Sequence, residues 1–305
     1  MRGVLRRTSL FSFNTTNHTE QTFENKGVGR NILQQSTSQV RERLGRARSS
    51  RARLGQYSGS MPKPESAPIV YRSLVGLVRC LLPLLVTRKW RGLHRVPKQG
   101  GVLVVSNHTS NFDTVTLGDA LVAAGRWPRF LGKSEIWKVP VLGWLAVQCR
   151  QIPVERHTAR AKDSLRHAAA ALEQGDCVVI FPEGTITRDP RGWPMVARNG
   201  AARLALTTGV PVLPIAQEGC QEVLGGRHLR LRKLFSLRRR PIRLAVGEPV
   251  DLSDLISETP SDDDIREASR RITEALTNVY ASVRGESVPE LIWNSWKEEY
   301  VSRAE

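Results

Sequence analysis

GVLVVSNHTSNFD, at residues 101–113, joins a continuous apolar run to a short polar segment. Three more apolar runs follow along the chain: CVVIFPE at 177–183, VPVLPIA at 210–216 and IRLAVGEPV at 242–250. A strand that is apolar at consecutive positions is buried on both faces, and in layered α/β domains helices supply that cover. We therefore expect a layered α/β fold, with a mixed sheet flanked by helices.

Helical patterns fill the intervals between these runs. Helices are predicted at 114–124, 158–174 and 199–208, and a last one at 262–284. In the last segment aliphatic residues recur at helical spacing behind an acidic SDDD start. Those negative charges are favourable at the positive end of a helix dipole, so the segment is predicted to begin as a helix there.

Residues 1–65 are rich in Ser, Thr, Asn, Gln, Gly and Arg, with little apolar periodicity. This composition predicts a disordered basic extension. Two explanations stay open: a basic arm that docks on anionic lipid or RNA, or a leader added by a wrong start codon, with Met61 as the true start. Residues 1–25 lack the continuous apolar core of a secretory signal.

The segment 66–93 is predicted to be helical and to associate with a membrane. Its apolar run, from Leu74 to Val86, is interrupted by Arg79 and Pro83. A spanning helix needs about 20 apolar residues, so an interfacial segment fits better. The alternative is a helix that is buried against the rest of the protein.

The chain is strongly basic, with a formal net charge of +17. Residues 1–60 hold 11 Lys and Arg against 3 Asp and Glu, which gives +8 and leaves +9 for the remainder. Such a charge attracts nucleic acid, anionic lipid and phosphorylated substrates alike. Residues 61–305 contain no recognisable nucleic-acid-binding module, so no specific nucleic-acid partner is expected.

Several chemistries find no support in the sequence. The four cysteines, at positions 80, 149, 177 and 220, are far apart and are predicted to be reduced residues of the core. The six histidines are scattered, and no metal site is predicted. Because no Gly-x-Ser-x-Gly segment occurs, a hydrolase with a serine nucleophile is not expected either.

His108 and Asp113 follow the first apolar run and are five positions apart. On one regular helix the two side chains would point about 140° apart. They can meet if His108 lies in the loop after the strand and Asp113 in the first helical turn, with Ser110 or Asn111 as the N-cap. The carboxylate would then orient the imidazole as a general base. A solvent-exposed loop histidine is the plain alternative.

Phe181-Pro-Glu-Gly-Thr185 also stands at the end of an apolar strand, where open α/β sheets bind their ligands. Glu183 can accept a hydrogen bond from a hydroxyl, and Gly184 lets the backbone approach a ligand closely. The backbone N–H groups of residues 183–185 are candidate oxyanion donors. A tight turn with a solvated carboxylate is the alternative interpretation.

Two cations between these blocks are candidate phosphate ligands. Arg156 ends QIPVER at 151–156, and Lys133 lies in FLGKSEIWKVPVLGWL at 130–145. Arginine can hold a phosphate with two parallel hydrogen bonds, whereas lysine acts as a point charge. Each one alone is more often a surface cation.

Four segments in this order resemble the sequence blocks of the glycerolipid acyltransferase family, over about residues 66–250: HTSNFD at 108–113, IPVER at 152–156, FPEGT at 181–185 and VPVLP at 210–214. The resemblance implies transfer of a fatty acyl group from acyl-CoA or acyl carrier protein to a lysophospholipid hydroxyl, with 1-acyl-sn-glycerol 3-phosphate as the expected acceptor. Another lysolipid or a glycolipid intermediate is the alternative. No cofactor is implied beyond the acyl donor.

The same resemblance implies roles for individual residues. His108 is the base and Asp113 its partner, and Pro214 supports the site. The substrate-binding residues are Lys133, Arg156, Glu183, Gly184, Thr185 and Arg188. In the family an arginine commonly follows the threonine of the third block, whereas this chain has Ile186 there. The anion contact from that loop is then made by Arg188 or is missing.

The resemblance also implies an arrangement of segments and a location. An acyltransferase domain is placed at 94–285, after the membrane-associating segment and before a C-terminal tail at 286–305. The protein is expected at the cytoplasmic face of the cell membrane, as a peripheral or monotopic protein in contact with anionic lipids. The basic stretch 227–243 is either a further contact for lipid or donor phosphates, or a solvated loop.

Overall fold

The computed structural model describes residues 66–155, 161–228, 230 and 239–303. The predicted disordered extension at 1–65 lies outside these residues, and so does Arg156.

Within the described residues, seven strands form one mixed sheet. They are β1 Val86–Arg91, β2 Val102–Ser106, β3 Arg129–Lys133, β4 Ile152–Val154, β5 Cys177–Ile180, β6 Val212–Glu218 and β7 Arg240–Val246. Their order in the sheet is β1-β7-β6-β2-β5-β3-β4. All neighbouring strands are parallel except β6 and β7, which pair antiparallel. The predicted mixed α/β sheet is confirmed.

The helices are α1 Ile69–Leu85, α2 Asp113–Ala123, α3 Pro140–Gln148, α4 Ala161–Glu173, α5 Asn199–Thr208, α6 Gln221–Leu224 and α7 Asp262–Arg284. Short 3-10 turns span Leu93–Arg95 and Ser134–Lys138. The predictions for 199–208 and 262–284 are confirmed to the residue. At the start of α7 the Ser261 hydroxyl accepts the Asp264 N–H at 3.1 Å, and the Asp264 carboxylate accepts the Ser261 N–H at 3.1 Å.

The central strand β2 is buried at every position, because helices cover both faces of the sheet. Leu103 and Val105 pack with α4, α5 and α7 on one face. Val102 and Val104 pack with α2 on the other. This two-sided core fixes β2 in the middle of the domain, and the loop that carries His108 begins where β2 ends.

The predicted helical segment 66–93 is wrong in its last third. The helix α1 ends at Leu85, and Val86–Arg91 is the edge strand β1, which pairs with β7. Exposure alternates along β1, with Val86 turned inward and Thr87 and Lys89 turned outward, as in a strand that has one covered face. Residues 86–91 therefore belong to the seven-stranded sheet.

One face of α1 packs on the domain. The Tyr71 hydroxyl donates to the carbonyl of Pro128 at 2.7 Å, and Leu82 is buried. Arg79, which interrupts the apolar run, pairs with the buried Asp119 of α2 at 3.3 Å, and Arg88 of β1 pairs with the same carboxylate at 2.7 Å. Burial raises the pKa of Asp119, and the two guanidinium groups oppose that rise.

Across the described residues, no helix is long and apolar enough to span a bilayer. The segment 286–305, predicted as a tail, contains a two-stranded hairpin of β8 Leu291–Asn294 and β9 Glu299–Ser302. The Val196 N–H donates to the Trp293 carbonyl at 3.0 Å, and the Tyr300 hydroxyl donates to Asp189 at 2.9 Å. The hairpin therefore packs against the long loop that follows β5.

Candidate active site

Residues that follow β2, β5 and β6 meet at one edge of the sheet. Asn107, directly after β2, donates its amide to the Gln217 carbonyl at 2.9 Å and accepts the Gln217 N–H at 2.9 Å. The Gln217 side chain in turn donates to the Asp113 carbonyl at 3.2 Å and accepts the Thr116 hydroxyl at 2.6 Å. This buried network ties the end of β6 to the start of α2.

The predicted contact between His108 and Asp113 is present. His108 Nδ1 lies 2.9 Å from Asp113 Oδ2, and the same oxygen accepts the backbone N–H groups of Thr109 at 2.6 Å and Ser110 at 2.8 Å. A carboxylate oxygen accepts hydrogen bonds and does not donate them, so the contact places the imidazole hydrogen on Nδ1. The Asp113 side chain is fully buried and that of His108 is 14% exposed. Nε2 is then the nitrogen left to take a proton from a substrate.

The predicted N-cap at Ser110 or Asn111 is wrong, because Phe112 occupies that position. The N–H groups of the turn are instead satisfied by Asp113 itself and by the Ser110 hydroxyl, which accepts the Phe112 N–H at 3.2 Å. That hydroxyl also donates to the Gly225 carbonyl at 2.6 Å. The turn of residues 108–113, called the catalytic turn after the role proposed for it below, is therefore fixed to the loop that follows α6.

Phe181 is a site residue that the sequence analysis missed. Its ring stacks on the His108 imidazole, with 4.1 Å between ring centroids and 16° between planes. A parallel ring at this distance limits rotation of the imidazole. The feature that could have indicated it is an aromatic residue at the start of FPEGT, directly after β5. An aromatic residue at the end of an apolar run is also typical of a buried strand, so the sequence did not single it out.

Glu183 bridges two loops from within the protein. Its Oε1 accepts the His108 N–H at 3.3 Å, and its Oε2 accepts the Met195 N–H at 3.2 Å. The side chain is buried, so the alternative of a solvated carboxylate is excluded. Burial raises the pKa of Glu183 to about 8, while the two backbone N–H groups oppose the rise. Its contact with a substrate hydroxyl stays a prediction.

Unfolding free energy should depend on pH through Glu183. The folded-state pKa of about 8 lies above the usual 4.5, so the folded protein holds an extra proton between these values. The contribution of this proton to the free energy of unfolding is fully present below about pH 4.5. It is lost as the pH rises through about 8. Between pH 5 and pH 9 the free energy of unfolding of the wild type should therefore fall by on the order of a few kcal/mol more than that of the Glu183→Gln variant. Urea unfolding of both proteins at several pH values measures this; parallel curves would contradict it.

Gly184 adopts a left-handed conformation, with φ of +69°. A Cβ built there would lie 2.8 Å from Arg198 Nε, so a side chain would be both strained and crowded. The Gly184 N–H donates to the Phe181 carbonyl at 2.9 Å. Of the three N–H groups predicted as oxyanion donors, this one is already used within the turn.

Two of the predicted phosphate ligands have partners of their own. Lys133 pairs with Glu135 at 3.2 Å, and Arg188 lies 3.9 Å from Glu298. Neither forms a hydrogen bond or an ion pair with His108 or Asp113 in the part of the chain that the structure describes. Pro214 is buried in β6, where its carbonyl accepts the Gly247 N–H at 2.8 Å.

A cavity of about 460 Å³ opens beside the catalytic turn. Thr109 and Thr187 contribute to its wall, and the Thr187 N–H donates to the His108 carbonyl at 2.7 Å. Ile186 lines the same cavity. Its charged lining residues are Arg191, Arg227, Arg230 and Arg284, with Glu218 and Glu222. Sequence reasoning did not bring these arginines together, since they come from three separate segments.

The described ranges hold no group of three or more His, Cys, Asp or Glu residues that could bind a metal ion. Cys149, Cys177 and Cys220 are buried, as expected for core residues, whereas Cys80 is exposed on α1.

Part of the chain matches a known protein family. Residues 87–218 match the family model described as Acyltransferase. This range runs from β1 to the end of β6 and includes the catalytic turn, Phe181 and Glu183. Over this range, which is less than half of the chain, the sequence is similar to acyltransferases.

Several relatives are named for the acylation of lysolipids. The chain is 34% identical to a chloroplastic 1-acyl-sn-glycerol-3-phosphate acyltransferase of Brassica napus over 136 residues, 44% of this chain and 38% of that protein. It is 37% identical to a lyso-ornithine lipid O-acyltransferase of Brucella abortus over 121 residues, 38% of this chain and 43% of that protein. The match thus spans less than half the length of either relative.

A solved structure shares the fold. The crystal structure of the 1-acyl-sn-glycerophosphate acyltransferase PlsC from Thermotoga maritima matches with a TM-score of 0.50 and 24% identity, over 70% of this chain and 78% of that one.

Proposed function

We propose that this protein is a 1-acylglycerol-3-phosphate O-acyltransferase, which moves a fatty acyl group from a thioester to the free hydroxyl of 1-acyl-sn-glycerol 3-phosphate and so gives phosphatidic acid. The observation that carries the proposal is the 2.9 Å contact between His108 Nδ1 and the buried Asp113 carboxylate. The donor is acyl-CoA or acyl carrier protein, and no other cofactor takes part.

In the proposed mechanism, His108 Nε2 takes the proton of the acceptor hydroxyl as its oxygen attacks the thioester carbonyl. The Asp113 carboxylate stabilises the imidazolium that forms. The tetrahedral intermediate then collapses, the C–S bond breaks, and the departing sulfur receives the proton from Nε2. The product is an ester and a free thiol, and no covalent acyl-enzyme is needed.

The oxyanion of that intermediate needs hydrogen-bond donors. Gly184 is committed to Phe181, so we assign the role to the next N–H groups of the same loop, those of Thr185 and Ile186. Lys133, Arg156 and Arg188 remain candidate ligands of the acceptor.

A second candidate function is acylation of a lysolipid with a different headgroup. Ile186 stands where the family commonly has an arginine, and the relative from Brucella abortus is named for a lyso-ornithine lipid. Loss of one phosphate ligand would relax the preference for a phosphate headgroup.

Competition between acceptors separates the two functions. The purified protein is given equal amounts of 1-acyl-sn-glycerol 3-phosphate, lyso-ornithine lipid and glycerol 3-phosphate, with acyl-CoA or with acyl carrier protein as donor. We expect phosphatidic acid as the main product. Preferential acylation of lyso-ornithine lipid would support the second candidate, and acylation of glycerol 3-phosphate alone would contradict both.

We further propose that the protein binds the cytoplasmic face of the cell membrane through α1 and α3, where it meets anionic lipids and its acceptor. Large apolar side chains are exposed on both helices: Ile69, Leu77, Leu81 and Leu84 on α1, and Val141, Leu142, Trp144 and Val147 on α3. Leu145 of α3 and Leu77 of α1 line one shallow groove, so the two sets are neighbours. A contiguous exposed apolar surface of this kind is typical of a contact with a membrane or a protein.

Substitutions on α3 test the membrane contact. Leu142→Ser with Trp144→Ser should weaken binding to vesicles that contain anionic phospholipid by about tenfold or more, because each side chain loses apolar area that lipid would bury. The matched control is Leu291→Ser with Trp296→Ser on the C-terminal hairpin, where exposure is 47% and 54% against 52% and 54% on α3. Vesicle sedimentation gives the result. Equal binding by both double variants would contradict the proposed contact.

A further inference from the structure

The cavity beside the catalytic turn is bounded by a loop that is held against that turn. This arginine loop, residues 225–228 and 230, follows α6. The Ser110 hydroxyl donates to the Gly225 carbonyl at 2.6 Å, and the Arg230 N–H donates to the Leu224 carbonyl at 2.8 Å. A Cβ built on Gly226 would lie 3.4 Å from the Thr109 carbonyl oxygen. The loop is thus held directly beside the residues next to His108.

Most charged groups in the cavity wall have partners. Arg284 donates to the Arg191 carbonyl at 2.8 Å and pairs with Glu286 at 2.9 Å. The Arg191 guanidinium lies over the Tyr300 ring, 4.4 Å from its centroid. The Glu218 carboxylate accepts the Tyr280 hydroxyl and, at 2.6 Å, the Gln221 amide. These groups are held by the protein itself.

Arg227 and Arg230 differ from the other two cavity arginines. Both are exposed at the cavity wall, and neither forms an ion pair with any residue in the described ranges. Ile186, in the loop that follows β5, also lines this cavity. The cavity therefore has two cations without a partner among the described residues and lacks the arginine that the family places at position 186.

We propose that Arg227 and Arg230 bind a phosphate group of a substrate in this cavity. Guanidinium groups match phosphate oxygens with paired hydrogen bonds, and a volume of about 460 Å³ lies in the range of small-ligand sites. The inference rests on the proposed acyl transfer, which supplies two phosphate-bearing substrates. The phosphate belongs to the acceptor headgroup or to coenzyme A, and these sources are separated by experiment.

Steady-state kinetics are measured on the full chain for the Arg227→Gln, Arg230→Gln and double variants. The control is Arg166→Gln, because Arg166 lies on α4 with its side chain 83% exposed. For an acceptor phosphate, KM for 1-acyl-sn-glycerol 3-phosphate should rise about tenfold to a hundredfold in the double variant, with little change for monoacylglycerol. For a donor phosphate, KM should rise for acyl-CoA and not for an acyl N-acetylcysteamine thioester. Unchanged KM values, or equal rises with the phosphate-free substrates, would overturn the proposal.

Binding without turnover keeps the test independent of the proposed reaction. Calorimetric titration of the wild type with glycerol 3-phosphate and with coenzyme A should detect binding of one of them, and the double variant should bind that probe at least about tenfold more weakly. If the wild type shows no acyl transfer but this difference appears, the proposed function fails and the phosphate site stands. Equal binding by wild type and double variant, or binding of neither probe by the wild type, overturns the site.

Discussion

The His108→Ala variant should lose acyl transfer by a factor of about a hundred to ten thousand while it stays folded. The loss follows because a positioned general base contributes about that much to such a reaction, and Nε2 of His108 is the nitrogen available for it. Folding should survive since Asp113 keeps the backbone N–H groups of Thr109 and Ser110 as donors. Steady-state transfer rates and the unfolding midpoint give both results.

The matched control for this variant is His94→Ala. His94 is exposed in the 3-10 turn Leu93–Arg95, which precedes β2, whereas the catalytic turn follows it. Its replacement should leave the transfer rate within about twofold of the wild type. Full acyl transfer by the His108→Ala protein would end the assignment of His108 as the base.

The Asp113→Asn variant should lose kcat by about a thousandfold or more. A neutral amide cannot stabilise the imidazolium, and it presents either an oxygen or an N–H group to Nδ1, so the tautomer with the free Nε2 is no longer enforced. It should also be less stable, by about 1–3 kcal/mol, because one of the donors that now bind the carboxylate would be left without an acceptor. Rates and urea unfolding are measured on the same preparation.

Asp119→Asn separates stability from catalysis. Asp119 lies on the same helix as Asp113 and is buried too. Its replacement by Asn removes the ion pairs with Arg79 and Arg88. It forms no contact with His108. We expect the Asp119→Asn variant to be destabilised but to keep most of its kcat. A kcat for Asp113→Asn that is no lower than for Asp119→Asn would show that the carboxylate of Asp113 has no special role.

The central part of the fold is predictable from local patterns. The strand β2 is apolar at four consecutive positions. The helix α7 shows helical periodicity, and its capping residues Ser261 and Asp264 stand at its start. The strand β1 was missed because it is an edge strand that buries one face only. In Val86–Arg91 exposed residues alternate with less exposed ones, but Arg88 on the less exposed face is charged, so the sequence shows no apolar–polar alternation.

The site is predictable only where its residues are close in sequence. The contact of His108 with Asp113 spans five positions and follows from a strand that ends before a helix. The buried Glu183 carboxylate accepts a hydrogen bond from the Met195 N–H, which belongs to a different part of the loop. One wall of the cavity is formed by the arginine loop, which lies more than 100 positions after the catalytic turn. Such contacts are set by the packing of whole elements, and no local pattern encodes them.

The most direct test of the proposed reaction follows both products at once. Purified protein is mixed with 1-acyl-sn-glycerol 3-phosphate and a thioester donor that carries a labelled acyl chain. We expect one equivalent of free thiol for each labelled phosphatidic acid, with no labelled free fatty acid. Release of thiol with labelled free fatty acid as the only lipid product, or no release of thiol, would contradict acyl transfer by this protein.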